Sequence, residues 1–179
     1  AGSPDQIRDY LRQQALERKF QLIRVDHFLA PCQARNVARK HIKTPYAVFV
    51  ENDVIFADGW VSPLLKCAEE TGCALVCPLT CQDQPVHEDI HFAGGNLEIK
   101  PPLQRVETTY TETHCFLVRL DMLNKINGFD EGVISIRDQI DFSLSMRRGG
   151  GKIYLEPRSI VTFIGHFDAP KLGTGTELG

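Results

Sequence analysis

Tyr46-Ala47-Val48-Phe49-Val50-Glu51-Asn52-Asp53 is the stretch on which the fold reading turns. An unbroken apolar run leads straight into an acidic end. Such a run reads as a strand buried on both faces, the kind found in parallel sheets. The residues that leave it emerge at the carboxyl edge of the sheet, where open α/β folds bind their ligands. Glu51 and Asp53 stand there at i and i+2. Hard divalent cations take oxygen ligands, and Mg²⁺ is commonly held by one or two carboxylates together with substrate phosphates. The triplet therefore predicts an acidic metal and phosphate site. An ordinary strand exit, in which Asn and Asp serve as turn residues, is the competing reading.

Outward from this stretch, helices alternate with strands. Asp5 to about Phe20 reads as a helix capped by Ser3 with Pro4 at its first position. Phe20 to Val25 is a strand candidate, and Ala34 to about Lys43 a short basic helix closed by Thr44-Pro45. After the central strand, Gly59-Trp60 opens a helix that ends at Thr71-Gly72, and Ala74 to Pro78 is the next buried strand. Leu79 to about Glu112 loses this rhythm and reads as an irregular or antiparallel insertion, with a glycine bend in Ile90 to Ile99. Cys115 to Arg119 is again a buried strand. A short helix from Met122 to Ile126 is capped by Asp121 and ended by Asn127-Gly128. A further helix starts at Ile136-Arg137-Asp138 and closes with Arg147-Arg148 before three glycines. Ile153 to Leu155 and Ser159 to His166 are the last strand candidates. The alternation predicts an α/β class with a mainly parallel sheet.

The 179 residues suit one domain over 1–179, with 165–179 expected as a flexible tail. The composition, 42% hydrophobic and 24% charged, is that of an ordinary globular protein, and a net charge of -3 gives no electrostatic case for nucleic acid. No apolar run approaches the ~20 residues of a membrane span. The expectation is a cytoplasmic protein, one at a membrane face, or part of a larger protein. Cys67, Cys73, Cys77 and Cys81 follow a C-x5-C-x3-C-x3-C spacing, not the paired C-x2-C of structural zinc. All six cysteines are expected as reduced core thiols.

Four stretches in a fixed order then fall together: Ala34-Arg35-Asn36, Phe49-Val50-Glu51-Asn52-Asp53, Asn127-Gly128-Phe129-Asp130-Glu131 and Arg137-Asp138-Gln139-Ile140-Asp141-Phe142. This set resembles the GT-A glycosyltransferases, in particular the inverting enzymes of family 2. The resemblance implies a three-layer GT-A fold and a nucleotide-sugar donor. It further implies a divalent metal, Mn²⁺ or Mg²⁺, and a glycan, lipid or protein acceptor. Carried over by position, Asp53 would hold the metal and Glu51 would lie near the ribose or diphosphate. Asn52 would lie between them, and Arg35 and Asn36 would support the donor. Asp138 would be the base that deprotonates the acceptor hydroxyl, and His166 a late metal ligand. Read from helix chemistry alone, Asp138 and Asp141 are instead acids favoured at a helix start. His114 is a weaker acceptor-side candidate, and His87 reads as a loop residue.

Three departures from the family pattern stand out. Glutamate replaces the first aspartate of the D-x-D pair. Arg137 replaces a glutamate beside Asp138, and a neighbouring cation weakens a carboxylate as a proton acceptor. The strand, helix and strand with which the family begins have no counterpart ahead of Asp5, so the domain is expected to be incomplete at its front. A non-catalytic GT-A-like domain binding a glycan or partner is the alternative function. An unrelated metal-dependent hydrolase is a third reading that leaves the Arg35-Asn36 and Phe129-Asp130-Glu131 segments unexplained.

Overall fold

The computed structural model describes residues 5–82, 104–133 and 138–164. Within them the elements run α1 (Asp5–Arg18), α2 (Pro31–Arg39), β1 (Tyr46–Val50), β2 (Val54–Phe56), α3 (Val61–Thr71), β3 (Leu75–Gln82), β4 (Val106–Thr108), β5 (Cys115–Arg119), α4 (Leu120–Lys125), α5 (Asp138–Arg148) and β6 (Ile153–Phe163).

Six strands form one sheet in the order β1-β5-β3-β6-β2, with β4 also on β6. The α/β expectation holds, but the sheet is mixed. β3 and β6 pair in parallel, whereas β5 runs antiparallel to both β1 and β3, and β2 and β4 run antiparallel to β6. β1, β3 and β6 therefore share one direction. The apolar run Cys115–Arg119 resembles a parallel-sheet strand because it too is buried on both faces, and burial carries no information about direction.

β6 unites the two last strand candidates. It bulges after Glu156, where its register with β3 jumps from Pro78↔Glu156 to Leu79↔Ile160. Its first half pairs with β4 and its second half with β2. Such a bulge bends the strand and redirects its end.

Phe20 to Val25 forms no strand, and Leu22, Ile23 and Val25 are exposed. The segment has no ladder partner among the described residues, and apolar β-formers alone do not make a strand. α1 forms as expected but buries none of its residues. The bend at Ile90 to Ile99, together with His87 and the 165–179 tail, lies outside the described residues.

Two large apolar clusters among the described residues pack on the sheet. One packs Leu64, Cys67 and Ala68 of α3 against Cys73, Val76 and Leu117. The other gathers Phe49, Phe116, Phe129 and Phe142 with Leu75, Leu123, Met146 and Ile153. In the second, Phe49 and Phe116 stack with centroids 5.4 Å apart, and Phe129 stacks on Phe142 at 4.5 Å. Aromatic pairs of this kind add about 0.5–1.5 kcal/mol beyond their area. Cys32, Cys67, Cys73, Cys77 and Cys115 are buried and form no disulfide among the described residues, as expected of core thiols.

Candidate active site

The aromatic cluster lies directly beneath the candidate residues. Each element that contributes a phenylalanine also contributes a polar group a short step away. β1 carries Phe49 and then Glu51, and β5 carries Phe116 just after His114. The turn behind α4 carries Phe129 and then Glu131, and α5 carries Asp138 one turn ahead of Phe142. Period two in strands and 3.6 in helices sets how far each group stands from its anchor.

Because β5 is antiparallel to β1, the start of one lies beside the end of the other. Val50 pairs with Cys115, and the Glu51 amide donates to the His114 carbonyl at 2.8 Å. The side chains meet as well, His114 Nδ1 lying 3.0 Å from Glu51 Oε2. His114 Nε2 lies 3.7 Å from Glu112 Oε2.

Arg35 joins this edge to α5. Its side chain is 9% exposed and donates from Nη2 to Glu51 Oε1 at 2.6 Å and from Nη1 to Asp138 Oδ2 at 3.0 Å. Nη2 also donates to the Thr113 carbonyl at 3.3 Å, and the guanidinium sits 5.7 Å from the Phe129 ring centroid. Pro31 at the first turn of α2 and the Gln33 Oε1 bond to the Ala30 amide set the start of that helix, from which Arg35 and Asn36 face inward. Asn36 is spent on structure. Its Nδ2 donates to the Phe129 carbonyl and to Glu131 Oε1, both at 2.8 Å, and its Oδ1 accepts from the Phe129 amide at 3.0 Å. Gly128 makes this possible, with φ +85 and no room for a Cβ, which would stand 2.5 Å from Asn36 Oδ1.

The charges tune one another. Burial pushes the Glu51 carboxyl upward, but the hydrogen bond and charge of His114, together with Arg35, outweigh it and hold the carboxyl below its ordinary value of 4.5. Burial likewise pushes His114 down, and its bond to Glu51 with the charges of Glu112, Glu51 and Asp53 raises it above 6.5. Cys32, beside Asp138, is raised by burial and by that carboxylate.

Glu51, Asp53 and His114 each offer one ligand atom, all within 4.8 Å of one another. Asp53 Oδ1 is buried with no hydrogen-bond partner among the described residues, an arrangement that a cation would complete. Two carboxylates and an imidazole suit a divalent ion such as Mn²⁺ or Mg²⁺. The Asp53 carbonyl accepts from the Ile164 amide at 2.8 Å, so the end of β6 reaches the same edge. His166 lies outside the described residues. Asn52 is exposed and makes no side-chain hydrogen bond among them. Sequence reading thus selected Glu51, Asp53, Arg35 and Asp138, which the fold brings together. It undervalued His114, whose place depends on antiparallel pairing of strands far apart in the chain.

A model of the family described as glycosyl transferase family 2 matches residues 1–126. The chain belongs to this family. No curated protein matches its sequence. Among solved structures, the family 2 chain is similar to GalNAc-T7 with UDP, GalNAc and Mn²⁺, at TM-score 0.72 and 12% identity, covering 92% of this chain and 36% of that one. It is similar to TarS of S. aureus at TM-score 0.68 and 14% identity, covering 91% and 29%. It is also similar to the mannosyltransferase PcManGT from Pyrobaculum calidifontis in complex with GDP-Man and Mn²⁺, at TM-score 0.67 and 13% identity, covering 96% and 47%. The fold of this family 2 chain is the GT-A fold, and the chain spans less than half the length of each of these three proteins. No helix among its described residues is long and apolar enough to cross a membrane.

Proposed function

We propose that this chain is a metal-dependent glycosyltransferase domain that moves a hexose from a nucleotide-sugar donor to an acceptor hydroxyl with inversion. The observation that carries the reading is the convergence of Glu51, Asp53, His114, Arg35 and Asp138 on one edge of the sheet. The nucleotides and Mn²⁺ in the GalNAc-T7 and PcManGT structures support it by analogy of fold.

Glu51, Asp53 and His114 would hold the divalent ion, with His166 a further candidate. When bound, the ion would neutralise charge developing on the diphosphate leaving group. Asp138 takes the proton from the attacking hydroxyl, a role for a carboxylate within hydrogen-bond reach of the acceptor. Arg35 orients that carboxylate and Glu51 together, so the donor and acceptor sides share one rigid guanidinium. Attack from the Asp138 side, opposite the departing diphosphate, inverts the anomeric centre. The acceptor is a glycan, lipid or protein hydroxyl.

The test is transfer with a panel of nucleotide sugars and Mn²⁺, comparing the unaltered chain with Asp53→Ala and Asp138→Asn. Each substitution is expected to lower transfer about 100-fold or more while the circular dichroism spectrum is kept. Full activity in both variants would overturn the proposal.

A further inference from the structure

Glu112 is a buried carboxylate that the proposed chemistry leaves unused. Its side chain is 10% exposed, and its Oε2 lies 3.7 Å from His114 Nε2. Among the described residues His114 is its one ion-pair partner. An ionised carboxylate taken out of water needs such a partner. Glu112 does not belong to the group of Glu51, Asp53 and His114 whose ligand atoms lie within 4.8 Å of one another.

The chain around Glu112 is tied down on both sides. The Thr111 amide donates to Ser143 Oγ on α5 at 3.1 Å, and the Thr113 carbonyl accepts from Arg35 Nη2 at 3.3 Å. The His114 carbonyl accepts from the Glu51 amide at 2.8 Å. Glu112 and the ring of His114 therefore stand on one fixed stretch of backbone. A closed N–H···O bond spans about 2.7–3.2 Å, so side-chain rotation has about 0.5–1 Å to cover.

The two ring nitrogens of His114 face different carboxylates. Nδ1 lies 3.0 Å from Glu51 Oε2, on the side of the proposed metal site, and Nε2 lies on the side of Glu112. An imidazole that ligates a metal is neutral and carries a single N–H. With that proton on Nδ1, the lone pair of Nε2 would face the Glu112 carboxylate. With the proton on Nε2, the ring donates to Glu112 and turns its Nδ1 lone pair towards Glu51 and Asp53, where a cation removes the repulsion. Only the second arrangement leaves every one of these groups with a partner.

We propose that Glu112 is a positioning residue that accepts the Nε2 proton of His114, fixes the ring in that tautomer and so aims Nδ1 at the divalent ion. The inference rests on the metal site proposed above and adds to it a carboxylate that does not touch the ion. Removing an outer partner of this kind commonly costs about 10–100-fold in metal affinity.

The test is Mn²⁺ calorimetry on the unaltered chain, Glu112→Gln, His114→Ala and the double variant, with circular dichroism as the check on folding. Glutamine keeps the shape of the side chain and removes its charge. Glu112→Gln is expected to weaken Mn²⁺ binding about tenfold or more. In the His114→Ala background the same change should cost less than about twofold, because Glu112 acts through the ring. Equal Mn²⁺ affinity in Glu112→Gln overturns the proposal. A full additional loss in the double variant overturns it too, because Glu112 would then act on the ion without the ring. A second measurement needs no change at Glu112: nitrogen-15 spectra of the histidine rings in the Mg²⁺-loaded chain, with His114 assigned by its loss in His114→Ala. A proton on Nε2 is expected, and a proton on Nδ1 overturns the proposal whether or not Glu112→Gln folds. Absence of Mn²⁺ binding to the unaltered chain overturns the metal site and this inference with it. Mn²⁺ binding that depends on Glu112, in a chain with no transferase activity towards any donor, overturns the catalytic reading alone.

Discussion

Arg35 holds Asp138 through a 3.0 Å bond from Nη1 while the other arm of the same guanidinium grips Glu51. The two acids belong to elements far apart in the chain, and one sits at the donor side of the proposed reaction and the other at the acceptor side. A planar fork can hold both in a fixed relation, whereas a single ammonium cannot. Arg35→Lys is therefore expected to be a severe change. It should lower transfer about 100-fold through loss of alignment. It should also reduce the free energy of unfolding in urea by about 3 kcal/mol, in the range for breaking one partner of a buried charge pair. Near-normal activity in the lysine variant would show that the fork is not needed.

Asp138→Asn separates chemistry from architecture. The amide oxygen can still accept from Arg35, which keeps Glu51 as its ionic partner, so the fold should be kept, but an amide cannot take the acceptor proton. Single-turnover transfer should fall about 10²–10⁴-fold, the usual contribution of a general base. Mn²⁺ affinity, measured by calorimetry, should stay within about twofold because Glu51, Asp53 and His114 are untouched. A parallel loss of Mn²⁺ affinity would instead place Asp138 in the metal site.

His114 makes the clearest test of the metal site. It is expected to contribute a ligand, so His114→Ala should weaken Mn²⁺ binding by about tenfold or more. His166→Ala, measured beside it, reports whether the later histidine joins the set. Unchanged affinity in His114→Ala would remove it from the metal site and leave it a positioning contact of Glu51.

These residues were not equally legible in the chain. Tyr46 to Val50, Cys115 to Arg119 and the helix opening at Asp138 were readable because each is a local pattern of apolar residues with a local stop signal. Glu51 and Asp53 were readable because they end such a pattern. β2 and β4 were not, being three-residue strands held only by their ladders to β6. His114 was obscured for a related reason, since its chemistry arises from the β1–β5 pairing, which no local window contains. A signal was nevertheless present. Phe49 and Glu51 stand two positions apart, as do His114 and Phe116, and Phe129 and Glu131. A recurring step from anchor to polar group marks the rim of one shared core.

Gly128→Ala tests the packing behind the site. The added methyl would meet Asn36 Oδ1 at 2.5 Å and Arg39 Cζ at 2.9 Å, on a backbone with φ +85. Backbone strain of this type costs about 1–3 kcal/mol, and the three Asn36 bonds to the 129–131 turn would be disturbed as well. A fall of about 2 kcal/mol or more in unfolding free energy is expected. A variant as stable as the parent would mean that Asn36 and Arg39 yield without loss.

Glu156 supplies a pH test away from the proposed chemistry. It is fully buried at the β6 bulge, and accepts from Arg105 Nε at 3.0 Å and from Arg158 Nη2 at 2.7 Å. Burial pushes its carboxyl upward, but the bonds from Arg158 and Arg105 outweigh this and hold it below its ordinary 4.5. A depressed folded-state value means that the unfolded chain binds the proton more readily, so the stabilisation is complete above pH 4.5 and is lost as pH falls through the folded value. Glu156→Gln should therefore cost about 3 kcal/mol at neutral pH. That difference from the parent should shrink steadily in urea unfolding series taken below pH 4.5. Because the bulge directs the second half of β6 towards β2 and the Asp53 carbonyl, the same variant should also weaken Mn²⁺ binding at neutral pH. A stability difference that stays constant or grows on acidification would show that Glu156 is not held ionised by its two arginines.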